Sequence, residues 1–328
     1  MPLHDLIENS RIQQIIAHPE DRKALWRTDL ERFLSGDENL TRKSAGESGI
    51  KAIQRLLIFL GYSTSSNGAF AIDGDFGRGT NRAVAQFQVE NRLTRSIKRN
   101  TLCYPCKWNS AKLLITCIPD ARLTPATLEK MLNTAIARSQ TGQVMTGKFD
   151  DAIFHLNALD RRQYLDCRKI LARYGEMAES TSRQLLAQTG ILVRSEWILA
   201  IIRQETAGII RPRFEQHYLS RLNREQPSTH LEELRMQSMS MGLGQVMGAN
   251  YKRVGAASAT ELFTAPAERQ VGFVARFLRS KGDVVKKANP TAGDFRKVAR
   301  YYNGPKYEAH QYHEKLERWH REFRMLMA

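Results

Sequence analysis

Apolar positions recur at helical spacing along most of the chain. Ile50, Ile53, Leu56, Leu57 and Leu60 form one such stripe, and Gly61 follows it as a stop. The next segment, SNGAFAIDGDFGRGT, is dense in Gly, Asn and Asp and must be turns. Thr80 is then placed to cap a second helix whose apolar face is Ala83, Val84 and Phe87. Thr124 followed by Pro125 reads as an N-cap with proline at the first helical position, opening LTPATLEKMLNTAI. These three helices predict a compact module over 46–138. Residues 1–45 form a polar extension with short helical stretches and no assignable role, and 139–176 read as a charged helical connector. From 177 to 328 nearly every segment is an amphipathic helix between Gly, Asn or Pro turns, with no alternating run long enough for a substantial sheet. The expected fold class is mainly α.

Composition narrows the classes of function. The 50 Lys+Arg against 34 Asp+Glu leave a net charge of +16, which asks for an anionic partner. Nucleic acid, an acidic membrane surface and a carboxylate-rich wall polymer all satisfy it, as does a soluble protein that is merely basic. No DNA- or RNA-reading motif is present, so nucleic acid is not expected. The longest apolar runs, Trp197 to Ile202 and Leu113 to Ile118, fall far short of the ~18 residues of a membrane helix. MPLHDLIENSRIQQ lacks a basic start and an apolar h-region, so cytoplasmic synthesis without a signal peptide is expected. A monomer is expected. Four cysteines are too few for a disulfide scaffold. Three of them, Cys103, Cys106 and Cys117, fall in a basic insertion at 94–121. A zinc site there would need Cys167 as a distant fourth ligand, so incidental surface cysteines, or a disulfide in an oxidising compartment, are the better reading.

The chemistry concentrates in a few segments. In SEWILAIIRQETAG, Ser195 is placed to cap a helix whose buried face is Trp197, Ile198, Ile201 and Ile202. Glu205 continues that face just before the helix ends at Ala207-Gly208. A general acid needs a raised pKa, and a helix dipole contributes only about 0.3–1 kcal/mol, so an apolar wall must supply the rest. The competing reading pairs Glu205 with Arg203 or Arg211. Glu215 lies ten positions on, and two carboxylates flanking one bond are the equipment of glycoside hydrolysis. With 34 acids in the chain such a spacing is weak by itself. In SMSMGLGQVMGANY, the glycines allow close backbone approach and Gln245 offers a directional donor and acceptor. A phosphate cradle is excluded there by the lack of GK[ST] or a strand-to-helix GxGxxG. Tyr301, Tyr302, Tyr307 and Tyr312 gather around Asn303-Gly304-Pro305 and suit sugar rings, though tyrosines at helical spacing are often core. His310, His313 and His320 read as a solvated face, so neither a metal nor a cofactor is expected.

Two resemblances join these pieces. IKAIQRLLIFLGY, AIDGDFGRGTNRAVAQFQVENRL and LTPATLEKML together resemble the three-helix peptidoglycan-binding domain found beside wall hydrolases. The resemblance implies a wall-binding module with Asp73, Asp75, Phe76 and Thr80 as its signature residues; the 94–121 insertion departs from it. The segment 177–328, through IIRQETAG, FEQHYL, SMGLGQVMG and ARYYNGPKYEAHQYHEKL, resembles the N-acetylmuramidase domain of phage endolysins, a relative of goose-type lysozyme and lytic transglycosylases. Carried over, this implies Glu205 and Glu215 as catalytic carboxylates and Ser240, Gln245, Tyr302, Asn303 and Tyr307 as substrate contacts. Thr206 stands where a serine is usual, and the stretch between the two glutamates is shortened. The implied reaction is hydrolysis of the β-1,4 bond between N-acetylmuramic acid and N-acetylglucosamine, in the periplasm. Alternatives are a lytic transglycosylase giving anhydro-muropeptides and a non-catalytic wall-binding protein. The implied partner is peptidoglycan, with an immunity protein added if the protein is a secreted antibacterial effector rather than an endolysin.

Overall fold

The apolar stripes become helices in a computed structural model, which describes residues 3–21, 23–35, 46–93 and 122–328. The insertion at 94–121, with Cys103, Cys106 and Cys117, lies outside the described residues. First along the chain come α1 (Leu3–Ile7), α2 (Ser10–Ile16), α3 (Leu25–Leu34), α4 (Glu47–Phe59), α5 (Arg78–Glu90), α6 (Pro125–Thr141) and α7 (Phe149–Asp160). They are followed by α8 (Cys167–Thr189), α9 (Ser195–Glu205), β1 (Arg213–Phe214), α10 (Gln216–Glu225), α11 (Leu231–Gln237), β2 (Met239–Met241) and β3 (Val246–Met247). The chain ends in α12 (Ala259–Thr264), α13 (Ala267–Leu278), α14 (Gly282–Val285), α15 (Ala292–Asn303) and α16 (Tyr312–Met327). The fold is mainly α, as expected. Among the described residues no helix is long and apolar enough to cross a membrane. Two compact units emerge, one built from Met1–Arg162 with Arg211–Ser240, the other from Gln163–Ile210 with Met241–Ala328.

The first unit is organised around α4. Ile50, Ile53, Leu56 and Leu57 meet Val84 and Phe87 of α5 and Leu128, Met131 and Leu132 of α6 in one buried core. Gly61 takes φ +88° after the helix, the left-handed stop its position predicts. Thr124 caps α6 by accepting from the Thr127 amide at 3.1 Å, with Pro125 at the first turn. Thr80 departs from expectation. Gly77 precedes α5, and Thr80 is buried one turn in, donating to the Asp75 carbonyl at 3.0 Å and accepting from Gln54 at 3.1 Å. Gln54 also donates to Asp73 at 2.7 Å and accepts from the amides of Asp73 and Gly74, each at 2.9 Å, so one buried amide of α4 holds the whole turn. Residues ahead of the module are tied to it as well. Buried Arg55 donates to the Ile15 carbonyl at 2.7 Å, Asp160 at 2.6 Å and Asn157 at 2.7 Å, joining α2, α4 and α7. Burial lowers the Arg55 pKa, and the Asp160 carboxylate opposes that shift.

In the second unit α9 is central. Trp197 through Ile202 are each fully buried, because α8, α13 and α16 pack around the helix and close over faces beyond the one its stripe predicts. Its N-cap is Arg194, so Ser195 is the first helical residue rather than the cap. Tyr312, Leu316, His320 and Phe323 form the buried face of α16, which packs against α9. His320 is therefore core, not solvated face. Its ring lies 4.7 Å from Trp197 and 5.4 Å from Phe295, and burial, with Arg324 and Arg194 nearby, lowers its pKa to about 4. His313 is half-buried against Tyr307, while His310 is exposed. Among the described residues no His, Cys, Asp and Glu cluster could hold a metal ion.

Candidate active site

Glu205 is the last residue of α9. Ala207 and Gly208 then take φ of +47° and +74° and turn the chain away. Gly208 has no room for a side chain, since a Cβ would lie 2.9 Å from Leu165, and its carbonyl accepts from Tyr174 at 2.9 Å. The end of the helix is fixed from the other side by Trp319, which donates to Gln204 at 3.0 Å and lies under the Arg203 guanidinium at 4.4 Å. Against this rigid terminus, the Tyr312 hydroxyl donates to Glu205 Oε1. Burial raises the pKa values of Tyr312 and Tyr302 well above the ordinary phenol value, and the Glu205 charge adds to both shifts. Both phenols stay protonated and remain donors.

The turn at 242–245 is pinned to the same place. Thr206 donates to the Leu243 carbonyl at 2.8 Å, and Tyr302 donates to the Gly244 carbonyl at 2.6 Å. From beneath, Gln270 of α13 accepts from the Leu243 amide at 3.2 Å and donates to Ala265 at 2.9 Å. A Cβ on Gly244 would sit 2.5 Å from Val274 Cγ2 and 2.6 Å from the Tyr302 hydroxyl, so only glycine fits. Gln245, at φ +49°, is half-buried and donates to the Gly242 carbonyl at 3.2 Å. Three separated motifs, IIRQETAG, GLGQ and YYNG, thus converge with Tyr312 on one carboxylate. Asn303 is exposed at the end of α15. Tyr307 is buried instead, its hydroxyl donating to Glu308 at 2.8 Å and its ring 5.4 Å from His313. Tyr312 was legible only as one of four tyrosines near a turn, because a partner 107 positions away leaves no local mark, and the sequence did not single out Gln270.

Glu215 and Ser240 belong to the first unit. β1 and β2 pair antiparallel with Arg213 opposite Ser240 and Phe214 opposite Met239. The Glu215 amide donates to Ser238 at 2.8 Å, and its carboxylate pairs with Arg213 at 2.9 Å, with His217 at 3.9 Å. In the small module, Phe76 and Thr80 are interior and Asp73 organises the turn. Asp73 and Asp75 are exposed beside them.

A buried helix that ends in a carboxylate, with a glycine turn and tyrosines fastened beside it, is an arrangement suited to acid–base chemistry. Residues 215–324 match the family model for N-acetylmuramidase, and residues 46–96 match the model described as "Putative peptidoglycan binding domain". These two matches support a glycoside hydrolase acting on peptidoglycan, with a region similar to N-acetylmuramidases and a module similar to peptidoglycan-binding domains. Glu215 opens the matched muramidase stretch, and Glu205 precedes it. Among solved structures, the crystal structure of the Burkholderia AP3 phage endolysin is similar at 16% identity, over 85% of this chain and 96% of that one, with a TM-score of 0.35. No curated protein matches the chain.

Proposed function

We propose that the enzyme hydrolyses the β-1,4 bond between N-acetylmuramic acid and N-acetylglucosamine, with Glu205 as general acid and Glu215 as base. The observation that supports it most is the fastening of Glu205 by the Tyr312 hydroxyl where the 242–245 turn is pinned. Tyr312 holds one carboxylate oxygen, which orients the carboxyl group that donates the proton to the leaving glycosidic oxygen. The Gln245 amide, beside a turn whose backbone is already hydrogen-bonded from below, is suited to the polar groups of an N-acetyl sugar. Glu215, whose carboxylate pairs with Arg213, is the group that accepts the proton from attacking water. Wall lysis in the periplasm, by an endolysin or by an antibacterial secreted effector, is the setting in which this reaction operates.

Digestion of purified sacculi in H₂¹⁸O, with mass spectrometry of the muropeptides, tests the reading. Hydrolysis gives reducing muramic ends carrying one ¹⁸O. Anhydro-muramic ends without the label would establish a lytic transglycosylase instead, and no new ends at all would leave a binding protein.

A further inference from the structure

Segment 211–240 carries Glu215 and most of it lies within the muramidase match, yet it folds with the peptidoglycan-binding module. The attachment is buried and directional. Arg235 and Glu90, with side chains 1% and 4% exposed, form a two-pronged pair at 2.7 and 3.1 Å. Tyr62 lies 4.0 Å beneath the guanidinium and donates its hydroxyl to Glu90 at 2.7 Å. Burial by itself would lower the Arg235 pKa, but Glu90 and Tyr62 raise it, and the cation persists. Glu90 ends α5 and Tyr62 follows α4, so both belong to the module. Beside Glu215 the contact becomes backbone to backbone: the Phe214 amide donates to the Gly68 carbonyl at 2.8 Å, and Ala69 bridges Arg213.

A buried ion pair is a poor source of net stability, because desolvation consumes most of its attraction; its best-attested use is to fix register. A targeting module that acts only as a tether needs no such register, since tethering works through local concentration. We infer that the peptidoglycan-binding module is also a positioning element of the catalytic machinery. Through Glu90, Tyr62 and the Gly68 carbonyl it holds the Glu215 arm in register, and so acts on turnover as well as on wall binding. The inference rests on the reading of Glu215 as base.

The full-length Gly68→Ala variant tests it. Gly68 sits at φ +89°, and a Cβ there would lie 2.0 Å from the Phe214 carbonyl oxygen, so alanine displaces β1 while the Arg235–Glu90 pair stays intact. The measurements are kcat and KM on short soluble glycan fragments, co-sedimentation with sacculi, and thermal melting. We expect kcat to fall about 10–100-fold, the scale of a ~1 Å misplacement, with KM and sacculus binding near wild type. The acid limb of the kcat–pH profile, which reports the base, should move as well. Arg235→Lys keeps the charge but loses the fork, and should change kcat in the same direction; it decides the matter if Gly68→Ala does not fold. Wild-type kcat and an unmoved acid limb in either folded variant overturn the inference. Glu215→Gln, run in parallel, keeps the two readings apart. Normal turnover there removes Glu215 as base, while a kcat loss in Gly68→Ala would still show that the module positions the arm.

Discussion

At the residue scale the proposed chemistry rests on Glu205 and what touches it. Glu205→Gln keeps the shape and removes the transferable proton, so the protein should fold normally while sacculus clearing falls about 10²–10⁴-fold. Retention of more than a tenth of the wild-type clearing rate would remove Glu205 from this role. Tyr312→Phe deletes one hydroxyl donated to a carboxylate, a bond worth about 1.5–3 kcal/mol. Its kcat on soluble fragments should drop about tenfold with KM little changed, and an unaltered kcat would make the contact incidental. Glu205 was readable from the apolar stripe of α9, since it continues the Ile198–Ile201–Ile202 face at the helix end. Tyr312 was readable only as one of four tyrosines near a turn. Its partner lies 107 positions away, and nothing local in either segment names the other.

At the element scale, caps and stops were the most legible features, because they are decided within four or five residues. Thr124 with Pro125 and the glycine after α4 behave as local chemistry dictates. Thr80 and Ser195 do not, because a buried glutamine claims the Thr80 hydroxyl and α9 begins one residue earlier than a serine cap would allow. The face of α16 was misread for a related reason: histidine is polar in isolation, but at the spacing of Tyr312, Leu316 and Phe323 it lies on the packed side. That burial has a pH signature. An unfolded histidine titrates near 6.5 and His320 in the fold at about 4, so protonation favours the unfolded chain. The associated stability is present above pH 6.5 and is lost as pH falls toward 4, a total of roughly 3 kcal/mol. Asp294 titrates lower. Burial raises its pKa, but Lys287 and the capping bonds of Thr291 outweigh that and bring it to about 2, so its contribution disappears only below the His320 window. Melting curves between pH 7 and pH 4 should therefore show a steeper loss for the wild type than for His320→Leu. Parallel curves for the two proteins would place the acid sensitivity elsewhere.

At the scale of the whole molecule the net charge of +16 meets a wall polymer that carries free carboxylates. Residues 191–328 alone hold 23 Lys+Arg and 14 Asp+Glu, a difference of +9. Attraction between exposed charges decays over about 10 Å at 0.1 M salt and about 3 Å at 1 M. Raising salt should slow the clearing of sacculi strongly while leaving turnover on saturating short fragments nearly constant. A flat clearing rate across that range would mean the charge does not serve substrate capture. The mainly α class, the three-helix module, the motifs and the charge were all determined by the sequence itself, because helical periodicity, caps and composition are properties of short stretches. Only the tertiary structure decided that α9 is enclosed on every side, that Tyr312 fastens Glu205, and that the Glu215 arm folds onto the peptidoglycan-binding module. An apolar stripe specifies that a face is buried but not against what, since the hydrophobic effect is non-directional. The partner is chosen by packing and by hydrogen bonds such as Arg235 to Glu90, which join residues 145 positions apart and exist only once the chain has folded.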